Sequence, residues 1–240
     1  MTRAVRRDAG QVRLGPRDMW ALRIVGEQYA LRLSLLAEVL ERFDGAPVSL
    51  DAARKVAARW HRARIAEVAP ILAGQGSHVW LTAYGVRQVG RNWKPWSPSA
   101  AGLAHLDAVA AVRISGGALH DGHWVSERDL RQGLTRAAGQ TMPHLPDGEA
   151  IMSGGRIAVE VELTPKSIER TRKILLGLTT RKGGFGHDSD RATDGYRYLE
   201  VRYFTDLLAL PVVEKARAQL PSELATRVGI TLLDNLPWPR

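Results

Sequence analysis

The chain has 240 residues and no cysteine, and its 34 Lys and Arg outnumber its 25 Asp and Glu to give a formal net charge of +9. The absence of cysteine excludes disulfides, thiolate nucleophiles and Cys-ligated metal sites. No apolar run approaches the roughly 20 residues that a membrane span needs, and the basic N-terminus lacks the apolar stretch of a signal peptide, so we expect a soluble cytoplasmic protein.

The positive charge is concentrated in the N-terminal part of the chain. Residues 1–99 contain 16 Lys and Arg against 8 Asp and Glu, whereas residues 100–240 contain 18 against 17. A basic module joined to a nearly neutral one favours a polyanionic partner such as nucleic acid, although a dispersed surplus of arginine is a common alternative. Two prolines and two tryptophans between Arg91 and Ser99 indicate a packed joint. The predicted divisions are a basic flexible tail (1–15), a first domain (16–90), the joint (91–99) and a second domain (100–240).

Helical periodicity dominates the first domain. It predicts helices over 16–28, 29–42, 50–64 and 83–90, and two β-like runs over 65–72 and 78–82 on either side of a glycine turn. Asp44-Gly45 is a stop signal for the second helix, and Ser49 and Thr82 are predicted N-caps of the third and fourth. Three helices, a hairpin and a closing helix are the order of a winged helix-turn-helix domain.

The third helix is the candidate recognition helix. Its apolar residues recur at helical spacing on one side, and its basic residues project on the other with no acid between Arg54 and Arg64. Such a helix suits the DNA major groove, where Arg and Lys reach phosphates and guanine edges, but a solvated basic helix is an equal alternative. The predicted DNA-binding residues are Arg54, Lys55, Arg59, Arg62 and Arg64.

The second domain alternates helices with strands. Helices are predicted over 100–115, 165–176 and 211–220, and strands over 156–164, 198–204 and 228–233. This alternation indicates a mixed α/β sheet. The segment 181–195 is rich in Gly, Asp, Ser and Thr and is predicted to be a mobile loop, with Arg181 and Lys182 near DNA.

Acidic residues of the second domain fall in a recognisable order. Pro146-Asp147, followed by Glu160-Val-Glu162, resembles the PD-(D/E)XK nuclease motif, with Glu127 as the upstream glutamate that some members use. That resemblance implies a nuclease-like mixed α/β core in which Asp147 and Glu160 would bind Mg²⁺, an ion that prefers oxygen ligands and activates water. The motif departs from the family because Glu162 stands where its lysine belongs, and Lys166 is the candidate for a displaced ammonium group. Strand alternation puts Glu160 and Glu162 on one face, where the alternative is an exposed surface pair.

The histidines of the second domain do not form a convincing metal set. His120 and His123 lie in a Gly/Asp turn, and such pairs are more often solvated. His105 lies on the helix that opens the domain and would either contact the acidic residues or be held by packing, which is the favoured interpretation.

The two domains together resemble the replication-relaxation family of actinobacterial plasmids and mobile elements. The resemblance spans residues 16–235 and depends on the order of short motifs, namely Leu81–Gly85, Leu103–His105, Trp124 with Ser126–Arg131, Pro146–Gly148 and Ala158–Ser167. It implies double-stranded DNA as the partner, in plasmid replication, relaxation or mobilisation. Other replication or conjugation proteins and a second copy of the chain are further candidate partners.

Three functions follow from these observations. The first is a DNA-binding accessory protein of a mobile element, which docks through the third helix. The second is a metal-dependent DNA endonuclease or nickase that uses the acidic residues and Lys166. The third is a transcriptional regulator whose second domain senses a ligand.

Overall fold

The protein, seen in a computed structural model, is a mixed α/β protein with two sheets, which confirms the predicted fold class at that level. The structure describes residues 13–120, 122–133, 143–182 and 196–235. Most of the predicted tail, and residues 183–195 of the loop predicted over 181–195, lie outside them. The chain divides into two compact units, Met1–Ala100 and Ala101–Arg240.

The first unit contains four helices and a three-stranded antiparallel sheet among its described residues. The sheet has the order β1-β3-β2, so the last strand lies between the other two. The elements are α1 (Pro16–Glu27), β1 (Ala30–Arg32), α2 (Leu33–Asp44), α3 (Leu50–Arg62), β2 (Ala66–Pro70), β3 (Ser77–Leu81) and α4 (Ala83–Gln88).

The predicted helix over 29–42 is wrong at its start. Tyr29 has φ +67, a left-handed conformation that ends the first helix, and Ala30–Arg32 then form β1. The second helix begins only at Leu33. Ala30 and Leu31 pair with Trp80 and Val79 of β3, so a contact with a distant part of the chain overrides the local helical pattern.

The predicted helix signals are confirmed where they were strongest. The Ser49 hydroxyl accepts a hydrogen bond from the Ala52 N–H, and Gly45 ends α2 in the left-handed conformation.

Trp93 of the joint is buried against Gly26 of α1, where a Cβ would lie 2.6 Å from the indole ring. The joint is therefore packed, as its tryptophans predicted.

Thr82 joins the end of β3 to the start of β2. Its N–H donates to the Ile65 carbonyl at 3.0 Å, and its hydroxyl donates to the Arg64 carbonyl at 2.7 Å. The same hydroxyl accepts from the Gly85 N–H at 3.0 Å and so caps α4. One threonine thus ties together the end of α3, both strands of the hairpin and the first turn of α4.

The second unit is built on a five-stranded mixed sheet of order β4-β5-β6-β7-β8. Strands β4, β5 and β6 are antiparallel neighbours, and β6, β7 and β8 are parallel. The elements are α5 (Ala100–Ser115), β4 (Trp124–Ser126), α6 (Glu127–Gln132), β5 (Gly148–Met152), β6 (Gly155–Glu162), α7 (Ile168–Thr179), β7 (Tyr198–Thr205), α8 (Leu210–Ala218), α9 (Ser222–Ala225), β8 (Val228–Leu232) and a final 3₁₀ turn (Leu233–Asn235).

The two faces of this sheet carry different cores. Val159, Val161 and Phe204 pack with residues of α5 on one face. Ala158 and Tyr203 pack with residues of α7 and α8 on the other. Because side chains alternate along a strand, Glu160 and Glu162 share the face of Ala158.

Candidate functional site

Helix α3 has one buried and one basic side, as its sequence predicts. Ala53, Ala57 and Trp60 are fully buried, whereas Arg54 and Arg62 are exposed. The buried side fixes the helix on the first unit, and the exposed side presents the guanidinium groups to solvent.

Two of the predicted DNA-binding residues have partners within the unit. Lys55 forms an exposed ion pair with Asp51, one helical turn earlier, at 2.8 Å. The Arg59 guanidinium binds the carboxylate of Asp18, which is buried and also accepts the Trp60 indole N–H at 2.8 Å. Arg59 therefore helps to hold α3 against α1, a role that the helical pattern did not indicate.

Arg62 and Arg64 continue into a concave surface at the end of α3. Sequence inspection missed two residues of that surface, Tyr84 and Arg87 of α4, and the Arg87 guanidinium carbon lies 5.9 Å from the Tyr84 ring centroid. Arg64 has φ +59, a left-handed conformation that is uncommon for a residue other than glycine. Its backbone ends α3, and its side chain is exposed.

The second candidate site lies at the edge of the five-stranded sheet where β5 begins and β6 ends. The antiparallel β5–β6 ladder pairs Gly148 with Val159. Asp147, one residue before Gly148, therefore lies opposite Glu160, one residue after Val159. The Asp147 carboxylate accepts the Val161 N–H at 2.8 Å through one oxygen. Its other oxygen lies 2.8 Å from Nε2 of His105 on α5. The interpretation of His105 as a residue held by packing is therefore wrong.

Glu160 is a buried acid of the site. Burial raises its pKa to about 7; the neighbouring Asp147 charge adds to this rise, while the hydrogen bond from His144 opposes it. The Glu160 carboxylate lies 2.8 Å from Nε2 of His144, a residue that sequence inspection left unassigned. The His144 carbonyl in turn accepts from Arg181, so that this arginine lies beside the acidic residues.

Glu162 and Lys166 form a third pair beside the first two. Their side chains form an ion pair across one turn, and Glu162 is buried. The Tyr203 hydroxyl donates to Glu162 at 3.4 Å, and burial together with the charges of Glu160 and Glu162 raises the pKa of Tyr203. The alternative of an exposed glutamate pair is thus wrong, because Glu160 is 3% and Glu162 6% exposed.

Both histidines of the site bind protons more tightly than an ordinary imidazole. Burial opposes the charged form of each ring, but the hydrogen bond and the charge of the facing carboxylate outweigh it, and the pKa of both His105 and His144 is raised. We call Asp147, Glu160, Glu162, His105, His144 and Lys166 the acid–base cluster. It sets three carboxylates against three basic groups.

Glu127 lies at the same sheet edge but has a different partner. The antiparallel β4–β5 ladder pairs Ser126 with Gly148, so the backbone of Glu127, the next residue, lies opposite that of Asp147. Glu127 begins α6, and its carboxylate binds Arg131 one turn later. The structure thus brings four of the five predicted catalytic residues together by their side chains, and Glu127 by its backbone position.

A buried ionic network supports the sheet next to this cluster. Glu149 is fully buried, and its carboxylate accepts from Arg156 at 2.8 Å, Arg197 at 2.6 Å and the Tyr198 hydroxyl at 2.7 Å. These bonds tie β5 to β6 and β7 two residues from Asp147. Lys182 is the other predicted DNA neighbour in this region, and its Nζ lies 3.3 Å from the ring centroid of Tyr196.

Comparison of the chain with models of known protein families and with curated proteins found no match. Within the described residues, no helix is long and apolar enough to cross a membrane. Among the residues that the structure describes, no group of three or more His, Cys, Asp or Glu side chains is arranged to hold a metal ion. The acid–base cluster can exchange protons between carboxylates and imidazoles beside one ammonium group.

Proposed function

We propose that this chain binds double-stranded DNA through α3 and the following hairpin. The observation that carries the proposal is the order α1-β1-α2-α3-β2-β3 with the sheet order β1-β3-β2, which supports the interpretation of this unit as a winged helix-turn-helix domain. In such domains the third helix enters the major groove. Here that helix is anchored by Trp60 and exposes Arg54 and Arg62.

The distribution of charge supports the same partner. Residues 1–99 hold eight of the nine net positive charges. Arg62, Arg64 and Arg87 line one concave surface at the end of α3, with Glu67 as the acid among its described lining residues. A phosphate backbone that crosses this surface would meet three guanidinium groups, each a fork of donors that matches phosphate oxygens.

The test is a binding titration with a DNA duplex at several salt concentrations. Each lost phosphate contact lowers the slope of log affinity against log salt by about 0.9, so Arg54→Ala with Arg62→Ala should lower it by about two. The matched control is Lys173→Ala with Lys215→Ala, which removes the same charge from exposed positions on α7 and α8. Equal losses in the two double variants, or no salt dependence, would contradict docking through α3.

The acid–base cluster favours a second activity, metal-dependent hydrolysis of DNA. The observation behind it is the convergence of Asp147, Glu160 and Lys166 at one sheet edge. The order α5, three antiparallel strands, α7 and a parallel strand supports a PD-(D/E)XK-like core, apart from the insertion of α6. Lys166 is the proposed substitute for the lysine that the motif lacks. It forms an ion pair with Glu162, and its charge also lowers the pKa of Glu160.

The donor set fits Mg²⁺, because this ion uses one or two carboxylates and completes its shell with waters and phosphate oxygens. Asp147 and Glu160 would hold it, and it would supply an activated water and neutralise phosphate charge. Lys166 would stabilise the developing negative charge at the phosphate. His105 keeps the Asp147 side chain oriented, and His144 does so for Glu160.

The test of hydrolysis is incubation of supercoiled plasmid with Mg²⁺ or Mn²⁺. We expect nicked or linear product with the unmodified chain and none with Asp147→Asn, while Glu223→Gln, an exposed acid on α9, should cut normally. Cutting that survives Asp147→Asn would indicate a contaminant, and the absence of cutting would leave DNA binding alone.

With both units taken together, we propose an accessory role in plasmid or mobile-element replication, relaxation or mobilisation. The support for this role is the resemblance to the replication-relaxation family together with the docking and nuclease-like roles proposed above for the two units. A comparison of DNA topology after incubation, with relaxed and supercoiled forms separated by gel, distinguishes relaxation from simple binding.

A further inference from the structure

A cavity of about 590 Å³ lies in the second unit, between the end of α5 and the face of the sheet opposite Glu160. This volume is within the range of small-molecule sites. Its apolar wall is formed by Val112, Ala118, Trp124, Ala150, Val159 and Phe204. The acid–base cluster uses the other face of β6, so the cavity is separate from it.

Two arginines carry charge among the described residues that line the cavity. Arg113 is 3% exposed, its guanidinium carbon lies 5.5 Å from the Trp124 ring centroid, and its Nε donates to the Ala118 carbonyl at 3.0 Å. Arg202, whose side chain is 46% exposed, lies at the rim, where its Nε donates to the Glu200 carboxylate at 3.0 Å. None of the described lining residues is acidic. An anion in this cavity would gain attraction from Arg113, whereas the charge of Arg202 is paired with that of Glu200.

The wall also holds an unsatisfied hydrogen-bond donor. Trp124 is 7% exposed, and its indole N–H has no hydrogen-bond partner among the described residues. A buried donor without an acceptor loses the hydrogen bond that it makes to water in the unfolded chain, so native proteins seldom leave one without a reason. A ligand with an acceptor oxygen would satisfy it.

We propose that this cavity binds a small organic anion with an apolar body about the size of one or two rings. The carboxylate or other anionic group lies beside Arg113 and the Trp124 N–H, and the apolar body packs against Val159 and Phe204. This site depends neither on DNA binding nor on hydrolysis, because its residues belong to neither proposed machinery.

The test compares three probes with the same apolar body and different charge. These are 1-naphthylacetate, the neutral 2-(1-naphthyl)ethanol and the cationic 2-(1-naphthyl)ethylamine, each titrated into the full chain by calorimetry. We expect the anion to bind at least tenfold more tightly than the neutral probe, and the cation to bind most weakly. Equal affinities of the anionic and neutral probes, or no binding of the anion, would overturn the proposal.

Variants locate the binding in the cavity. Arg113→Met should weaken the anion at least tenfold and leave the neutral probe nearly unchanged, and Ala150→Phe should abolish binding of both by filling the space. Arg202→Gln at the exposed rim carries little risk to folding; it removes the ion-pair partner of Glu200, whose uncompensated negative charge should weaken binding of the anion several-fold. Lys173→Ala, an exposed charge on α7, is the control and should change nothing. Binding that survives both Ala150→Phe and Arg202→Gln in folded protein would place the anion elsewhere and refute the site.

Discussion

Arg64→Gly should make the protein more stable and a weaker DNA binder. Arg64 adopts φ +59, a conformation that costs an L-residue about 1–2 kcal/mol and costs glycine nothing. Glycine also destabilises the folded state by about 0.5–1 kcal/mol, because it increases the conformational freedom of the unfolded chain. The net gain in the free energy of unfolding is therefore about 0–1.5 kcal/mol, with a midpoint of about 0.8 kcal/mol. The backbone carbonyl that accepts from Thr82 is retained.

Equilibrium urea denaturation measures the stability, and a duplex titration at several salt concentrations measures the binding. Loss of one phosphate contact should lower the salt slope by about one. The reciprocal control is Gly45→Ala, at φ +66, where a Cβ would have no neighbour within 4 Å; it should lose about the stability that Arg64→Gly gains and leave DNA affinity unchanged. If Arg64→Gly destabilises the protein, the left-handed conformation of Arg64 does not cost the folded state free energy, and the reasoning is wrong. If its DNA affinity is unchanged, Arg64 is not a contact.

Three further predictions concern stability and protonation. Because the pKa of Glu160 is raised from 4.5 to about 7, the folded state loses stability as pH rises across that interval; Glu160→Gln should be up to about 3 kcal/mol more stable at pH 8 and show little gain at pH 4.5, and equal melting curves at pH 8 would contradict this. Gly85→Ala should destabilise by about 1–3 kcal/mol or more, since its Cβ would lie 2.0 Å from a backbone carbonyl oxygen, whereas Gly177→Ala, with open space in α7, should stabilise by about 0.5–1 kcal/mol in the same denaturation experiment. Asp147→Asn should lower the pKa of His105, as followed by its imidazole proton resonances; an unchanged titration would mean that the contact is absent in solution.

The sequence predicts most elements of the first unit but not its first strand. Ala30, Leu31 and Arg32 are good helix formers, and nothing local distinguishes them from the helix that follows. They form a strand because β3, some 50 residues later, offers its backbone as a partner. Arg59 illustrates the same limit, since the helical wheel puts it on the basic side but its partner Asp18 belongs to another helix.

The acids and the lysine of the candidate site in the second unit were predictable from the sequence, but its histidines were not. Asp147, Glu160 and Lys166 have a recognisable order in the sequence. His105 and His144 have none, because one lies on a helix and the other in a loop, and each reaches its carboxylate only through the tertiary fold. A histidine signal would need a covarying partner or a structure.

The hydrogen bonds of Thr82 have a consequence for the thermodynamics of recognition. Because one side chain fixes α3, both hairpin strands and α4 to one another, the surface that carries Arg62, Arg64 and Arg87 is already organised before it meets a ligand. Little conformational entropy then remains to be lost on association, so the heat capacity change should reflect the buried area alone, without a contribution from coupled folding. Thr82→Val would remove the hydroxyl hydrogen bonds to Arg64 and Gly85, and the hairpin would then have to become ordered when the ligand binds.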